Sequence, residues 1–260
     1  MPRWFRLLLT VWSFFLFFAG SPFLGIFVFP FLRLIARGRE DHRRRVTRLV
    51  HHSLRFFVRW ITFSGLVACP YDVPLPEGID PSKPYVLIAN HPSLIDVVLL
   101  LAYFRDLTCV TKGSWSHSLV LGPFLRQTLY LPGRGAGEEE SEDVLGGMIE
   151  HVQNGHALLV FPEGTRSPRD RLNRLRRGAV EVAARAKVPL LAAFIDVDRP
   201  YLIKGVSPWR VPKSTARFRV EWLDVIRMDQ EEIDTKPLNQ RLSAAYQERF
   251  ARSVAERVEA

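Results

Sequence analysis

The chain has 260 residues, of which 47% are hydrophobic, so it can form one sizeable α/β domain or two small ones and is not a disordered protein. With 36 Lys and Arg against 27 Asp and Glu, its formal charge is +9, which favours anionic partners such as lipid headgroups, phosphorylated metabolites or an acidic carrier protein. Cys69 and Cys109 are far apart and lack metal-ligand spacing, so neither a disulfide framework nor a zinc site is expected.

The first predicted element is an apolar segment from Leu7 to Leu32, which contains no charged residue. Its length of about 26 residues is enough for one helix to span a bilayer. However, Gly20-Ser21-Pro22 divides it into two pieces, each too short to cross alone. Because arginines flank both ends, a helical hairpin that dips into one leaflet is favoured over a single kinked span. A cleaved signal peptide is disfavoured, because apolar residues resume after Gly20.

The segment Arg43–Ala68 places apolar residues among basic ones at helical spacing. Its apolar face fits a helix on an anionic membrane surface with snorkelling arginines, and it fits a core-facing helix with a solvated basic face equally well. That face consists of Val46, Leu49, Val50, Leu54, Phe57 and Val58. Residues 1–73 are therefore predicted to anchor the protein at a membrane, and residues 74–260 to form the main domain.

Short apolar strands alternate with helices after Pro74-Leu75-Pro76. The predicted strands are Tyr85–Ala89, Leu107–Thr111, Ala157–Phe161, Leu190–Ile195 and Arg217–Trp222. The predicted helices are Ile95–Tyr103, Leu119–Arg126, Val144–Asn154 and Arg177–Ala186, followed by a C-terminal amphipathic helix over residues 238–254. This alternation predicts an α/β fold with a mostly parallel central sheet flanked by helices.

The stretch YVLIANHPSLIDVVLL, residues 85–100, contains a histidine and an acid with four residues between them. His91 is predicted to follow a strand, with Asn90 as the cap of a helix whose first turn contains Pro92. Ligands of open α/β sheets collect at this edge. Asp96, about one helical turn away, can hold the Nδ1–H of the ring, so that Nε2 accepts a proton from a substrate hydroxyl. The alternative is a turn histidine without catalytic function.

A second stretch, FPEGTRS, ends the predicted strand that contains Phe161. Gly164 permits a tight turn, Thr165 offers a hydroxyl and an N–H group, and Arg166 offers a two-pronged guanidinium that suits phosphate. Glu163 is expected to hold Arg166 in place or to bond a substrate hydroxyl. The alternative is a strand-end turn with a surface salt bridge.

Together the two stretches resemble the motifs of the glycerolipid acyltransferase family, the PlsC-like enzymes typified by 1-acylglycerol-3-phosphate acyltransferase. NHPSLID is similar to the family's Asn-His-x4-Asp block, and FPEGTRS is similar to its Phe-Pro-Glu-Gly-Thr-Arg-Ser block. The resemblance implies that His91 is the general base on the acceptor hydroxyl and that Asp96 orients it. It also implies that one turn binds the acceptor's phosphate, namely Glu163, Gly164, Thr165 and Arg166.

Two further cations are candidate substrate-binding residues, on the basis of weaker similarities to the same family. Arg134 of TLYLPGRG matches the arginine of the family's second block, and Lys112 matches a family lysine near the same sheet edge. Thr128 stands where the second block usually begins with glycine, and Ala192 stands where the fourth block usually has its second proline. These departures leave the identity of the acceptor open.

The resemblance implies a membrane-bound O-acyltransferase that moves an acyl chain from acyl-CoA or an acyl carrier protein to lysophosphatidic acid, giving phosphatidic acid. The alternatives are the same reaction on a glycolipid, an aminolipid or another hydroxylated lipid, and a non-catalytic lipid-binding protein. No metal and no bound cofactor is expected. Nucleic acid is not an expected partner, because no recognition motif accompanies the arginines. The implied location is the inner membrane, with the catalytic domain facing the cytoplasm.

One further expectation concerns the oxyanion that forms on the thioester carbonyl. The helix predicted to begin at Pro92 would present unpaired N–H groups at its N-terminus. Such groups attract negative charge, so this helix end is a candidate stabiliser of the oxyanion or of a phosphate.

Overall fold

The structure, a computed structural model, describes residues 1–111, 113–116, 118, 121–133, 142–229 and 233–259. Its helices are α1 Arg3–Phe23, α2 Phe29–Leu34, α3 Arg39–Phe63, α4 Asp96–Tyr103, α5 Gly113–Ser116, α6 Gly122–Leu125, α7 Glu142–Gln153, α8 Gly178–Ala186 and α9 Thr235–Glu259. A π-helical turn, Leu24–Val28, joins α1 to α2. The strands are β1 Val67–Ala68, β2 Val86–Ala89, β3 Leu107–Thr111, β4 Leu131–Pro132, β5 Ala157–Val160, β6 Leu190–Val197 and β7 Ala216–Ile226.

Across the described ranges, the strands form one sheet in the order β1-β7-β6-β2-β5-β3-β4. Neighbouring strands are parallel, except that β6 and β7 are antiparallel. Because successive side chains of a strand point to opposite faces, Leu87 belongs to the core that α3 and α4 share, whereas Val86 and Ile88 belong to the core that α7, α8 and α9 share. The prediction of a mostly parallel sheet flanked by helices is confirmed.

The predicted strands and helices agree with the structure in type and in approximate position. All five predicted strands are present, with ends that differ by at most four residues. The strands β1 and β4 are not predicted, because two residues are too few to show an alternation. Of the helix predicted over Leu119–Arg126, the described residues are helical only from Gly122 to Leu125, where Pro123 occupies the first turn.

The N-terminal apolar segment is one helical run from Arg3 to Leu34, and the predicted hairpin is wrong. Pro22 lacks an N–H group and removes one helical hydrogen bond without reversing the chain. The π-helical turn that follows absorbs the disruption, because the N–H of Phe29 donates to the carbonyl of Leu24 five residues back. By length and composition this run is able to cross a membrane.

The helices α1 and α3 pack against each other in antiparallel directions. The rings of Phe17 and Phe57 lie 5.3 Å apart, and the indole N–H of Trp60 donates to Ser13 Oγ at 3.2 Å. Of the two interpretations of the basic helix, the structure supports the core-facing one, because Val46 is fully buried. The outer face of the apolar run instead leaves large side chains exposed, among them Trp4, Leu8, Trp12, Phe15, Phe23, Phe27 and Phe31.

Candidate active site

The order of the strands brings the two motif loops together. Strand β2 pairs with β5 in parallel, with Ile88 opposite Val160. His91 and Glu163 each follow this pair by three residues, so both side chains begin at the same level of the same sheet edge. Two parallel strands that are far apart in sequence but adjacent in the sheet therefore place the Asn-His-x4-Asp and Glu-Gly-Thr-Arg stretches side by side.

The connection from β2 to α4 differs from the predicted one. Asn90 is not a helix cap: its amide oxygen accepts from the N–H of Ile195 at 2.6 Å, and its amide N–H donates to the Ile195 carbonyl at 2.9 Å. The helix begins at Asp96 and not at Pro92, because Ser93 instead forms a bridge with Ile203. The N–H of Ser93 donates to Asp96, so the helix end predicted to stabilise an oxyanion is absent from this position.

His91 and Asp96 form a hydrogen-bonded pair, with Nδ1 and Oδ2 2.9 Å apart. The carboxylate of Asp96 is completely buried and also accepts from the N–H and the hydroxyl of Ser93, both at 2.6 Å. Three donors thus fix one carboxylate, which holds the proton of the imidazole on Nδ1 and leaves Nε2 as the acceptor. The ring stacks on Phe161 at 4.2 Å and remains 18% exposed, so Nε2 is open to a substrate.

Glu163 joins the two loops and does not pair with Arg166. Its carboxylate accepts from the N–H of His91 at 3.0 Å and from the hydroxyl of Ser167, and the N–H of Ser167 donates back to the carbonyl of His91 at 2.9 Å. Gly164, with φ +70°, turns the chain so that Arg166 points elsewhere and donates to the Leu202 carbonyl at 3.2 Å. Burial raises the pKa of Glu163, and the hydrogen bonds from Ser167 and His91 offset this only in part.

The remaining predicted site residues fall into two groups. Gly164 and Thr165 are exposed at the sheet edge beside His91, and Arg166 is half-buried there. Lys112 and Arg134 lie outside the described residues, so the structure does not place them.

The sequence interpretation missed Ser93 and Ser167, which orient the carboxylates of Asp96 and Glu163. Ser93 lies three residues before an aspartate at a helix start, which is a capping signal that could have identified it.

A pH-dependent contribution of Glu163 to stability follows from its raised pKa. Folding favours the protonated carboxyl, so its contribution is greatest below the unfolded pKa of about 4.5 and falls as the pH rises through the folded pKa. Gln cannot titrate. We therefore expect the free energy of unfolding of wild type, relative to Glu163→Gln, to decrease between pH 4.5 and neutral pH, measured by denaturant titration in detergent. Glu77→Gln, at an exposed position, serves as the control, and an increase in that difference would contradict the prediction.

An apolar cavity of about 300 Å³ lies between the N-terminal helices and the site. It is bounded by α1, by Leu24 of the π-helical turn, by α3 and α4 and by the end of β3, and Val97, the neighbour of Asp96, contributes to its wall. Phe17, Leu54, Leu101, Phe124 and Leu125 also line it. A cavity of this size and polarity suits a hydrocarbon chain and no charged ligand.

The comparisons with known proteins agree with these motifs. The family model described as Acyltransferase matches residues 71–196. The 1-acyl-sn-glycerol-3-phosphate acyltransferase of Saccharomyces cerevisiae is 36% identical over 121 residues, which cover 44% of this chain and 39% of that protein. The alpha enzyme of that name from Homo sapiens is 25% identical over 234 residues, covering 79% of this chain and 77% of that protein.

A solved structure matches almost the whole chain. The crystal structure of the 1-acyl-sn-glycerophosphate acyltransferase PlsC from Thermotoga maritima superposes with a TM-score of 0.70 at 20% identity, covering 97% of this chain and 98% of that one. This likeness shows the fold. The matched part of the chain spans less than half the length of the yeast relative and of the Brassica napus chloroplast relative, 39% and 44%. The resemblance to acyltransferases that the two motifs predict is therefore confirmed over residues 71–196, just under half of the chain.

Proposed function

We propose that the protein is a membrane-bound O-acyltransferase that transfers an acyl chain from a thioester donor to the free hydroxyl of 1-acyl-glycerol-3-phosphate. The observation that carries the proposal is the His91–Asp96 pair, in which a fully buried carboxylate with three hydrogen-bond donors holds Nδ1 and leaves Nε2 open. The acyltransferases of yeast and human named above act on the acceptor that their names print, which supports this choice of acceptor.

The reaction needs one proton transfer in each direction. Nε2 of His91 accepts the proton of the acceptor hydroxyl as the oxygen attacks the thioester carbonyl, and Asp96 stabilises the imidazolium that forms. The tetrahedral intermediate then collapses, the carbon–sulfur bond breaks, and the imidazolium returns the proton to the leaving thiolate. These residues and the two substrates account for every proton, so the scheme uses no further group.

The N-terminal region supplies the membrane and the acyl site in this proposal. Exposed Trp, Phe and Leu side chains along Arg3–Leu34 insert among lipids, and residues 1–73 act as the anchor for the catalytic part, residues 74–260. The apolar cavity beside Val97 takes an acyl chain. The arginines that follow Leu32 interact with anionic headgroups, which corresponds to a catalytic domain on the cytoplasmic face of the inner membrane.

Arg166 is the candidate ligand of the acceptor's phosphate. One N–H of its guanidinium donates to the Leu202 carbonyl, which leaves the rest of the two-pronged group for a phosphate. Lysine has no such two-pronged group and cannot make both contacts in this geometry. We expect Arg166→Lys to raise the KM for lysophosphatidic acid about tenfold and to leave the donor KM near wild type. Arg171→Lys, at an exposed arginine that forms an ion pair with Asp170, should change neither constant.

The function is tested with purified full-length protein in detergent or vesicles. Product lipids are measured with acyl-CoA and with acyl carrier protein thioester as donors, and with lysophosphatidic acid and a matched monoacylglycerol as acceptors. Strong preference for the phosphorylated acceptor, reduced in Arg166→Lys, is the expected result. Equal rates on both acceptors in wild type would contradict the assigned acceptor and favour another hydroxylated lipid, and no transfer to any acceptor would contradict the proposed function.

A further inference from the structure

Two cavities are lined by clusters of cationic side chains, and the second of them includes Glu163 of the site turn. The first, of about 610 Å³, takes its charge from Arg3, Arg169, Lys204, Arg210 and Lys213. The second, of about 670 Å³, takes its charge from Arg174, Arg176, Arg177 and Lys236 and is completed by Glu163, Asn173, Asn239 and Gln240. Most of these cations lie outside residues 71–196 or between its motifs, so the family resemblance assigns them no function.

The first cavity lies beside the apolar N-terminal helix. Arg3 belongs to α1, and the segment that contributes Lys204 and Arg210 is tied to α1 at two points. The hydroxyls of Tyr201 and Thr10 are 3.2 Å apart, and the rings of Trp209 and Phe14 are 5.9 Å apart. A ligand in this cavity is therefore next to the surface that carries the exposed apolar side chains.

The second cavity lies away from that helix. Its lining residues come from the site turn, from the loop before α8 and from the first turns of α9. The helices α8 and α9 cover one face of the sheet, whereas α3 and its neighbour α1 cover the other. The second cavity thus opens on the side of the molecule remote from the lipid-facing residues.

Resting on the function proposed above, we propose that the second cavity binds the phosphate of the thioester donor's phosphopantetheine arm. The acceptor and the acyl product are lipids and stay on the α1 side, whereas a coenzyme A or carrier-protein thioester arrives from water. Both donors carry a phosphate on the same arm, and a cluster of guanidinium and ammonium groups is the usual partner of phosphate.

The cavity is built onto the catalytic turn. A Cβ at Gly164 would lie 3.3 Å from the guanidinium carbon of Arg176, so this arginine covers the turn where the motif bends. The side-chain amide of Asn173 donates to the carbonyls of Thr165 and Arg166, at 3.4 and 3.3 Å. Glu163, which lines this cavity, accepts hydrogen bonds from the N–H of His91 and the hydroxyl of Ser167. Donor phosphate bound here is therefore coupled to the position of His91.

The test compares donors with and without phosphate. Arg174 and Lys236 are exposed, and their side chains form no hydrogen bond or ion pair within the described parts of the chain, so replacing them should leave the fold intact. The substitutions Arg174→Gln and Lys236→Gln are combined in the full-length protein. Initial rates are measured with acyl-CoA, with acyl carrier protein thioester and with acyl-pantetheine, which lacks the phosphate, at saturating lysophosphatidic acid.

We expect the double variant to lower kcat/KM for acyl-CoA at least about tenfold relative to acyl-pantetheine, with the loss in donor KM. A parallel loss with the carrier-protein thioester would support the proposal, because the arm phosphate is the phosphate that both donors share. A loss with acyl-CoA alone would assign the cavity to the nucleotide phosphates and would overturn the proposal. Arg252→Gln, which removes an exposed cation at the far end of α9, is the matched control.

An equal loss on acyl-pantetheine and acyl-CoA, or no loss on any donor, would overturn this inference while leaving the proposed function standing. Absence of acyl transfer by wild type with all three donors would instead overturn the proposed function. A rise in the lysophosphatidic acid KM of the double variant without a change in donor KM would place the acceptor in this cavity and also reject the inference.

Discussion

Replacing His91 with alanine is expected to lower the rate of acyl transfer by a factor of about 10²–10⁴. The reason is that Nε2 of His91 is the base that the site positions, through the bonds of Nδ1 to Asp96 and of the His91 N–H to Glu163. The backbone N–H and carbonyl of residue 91 remain in the variant, so the links to Glu163 and Ser167 can persist. The protein should therefore stay folded and membrane-bound.

The measurement is the initial rate of labelled acyl transfer at saturating concentrations of both substrates, together with thermal unfolding and vesicle flotation of the same samples. His52→Ala is the matched control, because His52 is an exposed histidine on α3. It should retain the wild-type rate. A His91→Ala variant that keeps more than about a tenth of the wild-type rate would show that another group takes the proton.

The fold and the catalytic pair could be predicted from sequence because both depend on local patterns. The buried strands β2, β5 and β6 appear as short apolar runs, and their predicted ends differ from the observed ones by at most two residues. The pair of His91 and Asp96 lies within six residues, so the turn alone brings the two side chains together. Local spacing was enough in these cases.

The misses arise where the outcome depends on contacts across the sheet. Asn90 was predicted to cap a helix, but a strand neighbour, Ile195, offers its amide a better pair of partners. Glu163 was expected to act on Arg166 or on a substrate, but the pairing of β2 with β5 sets it against the backbone of His91. Neither partner is near in sequence, so no spacing rule indicates them.

The hairpin prediction for the N-terminal helical run is wrong for a different reason. A Gly-Ser-Pro stretch in a soluble chain usually ends a helix. Here Pro22 costs one hydrogen bond, and the π-helical turn after it keeps the later backbone groups paired. An apolar environment strongly favours such pairing, because an unpaired backbone group in lipid has no water to bond. The hairpin was predicted for the same apolar environment, so the difference lies in the π-helical turn, which pairs the backbone after Pro22 and which no residue pattern in this segment indicates.

Replacing Asp96 with asparagine is the second change with a large expected effect. The carboxylate accepts three hydrogen bonds, from the Nδ1–H of His91 and from the N–H and hydroxyl of Ser93. Asparagine has one acceptor oxygen and one donor group. If its oxygen faces His91, the ring keeps its orientation but loses the negative charge that stabilises the imidazolium. If its NH₂ group faces His91, the ring must shift its proton to Nε2, where it can no longer act as a base.

Both orientations lower kcat and leave the substrate contacts in place, since Asp96 is completely buried and cannot touch either substrate. We expect kcat for Asp96→Asn to fall about 10²–10⁴-fold, while both KM values stay within about threefold of wild type. Steady-state kinetics with each substrate varied in turn measure the two effects separately. Asp106→Asn, an exposed aspartate with φ 60° that asparagine tolerates, is the control and should behave as wild type.

Ser93→Ala separates the positioning of the carboxylate from its charge. The variant removes the hydroxyl bond to Asp96 and the bond that the same hydroxyl accepts from the N–H of Ile95. The other oxygen of Asp96 keeps its bonds from the N–H of residue 93 and from His91. Its kcat should therefore fall by less than that of Asp96→Asn, by about tenfold for one lost hydrogen bond to a charged group. If Asp96→Asn lost activity through KM, or kept kcat within the range of Ser93→Ala, the buried charge would not support proton transfer, and Asp96 would serve only to hold the turn.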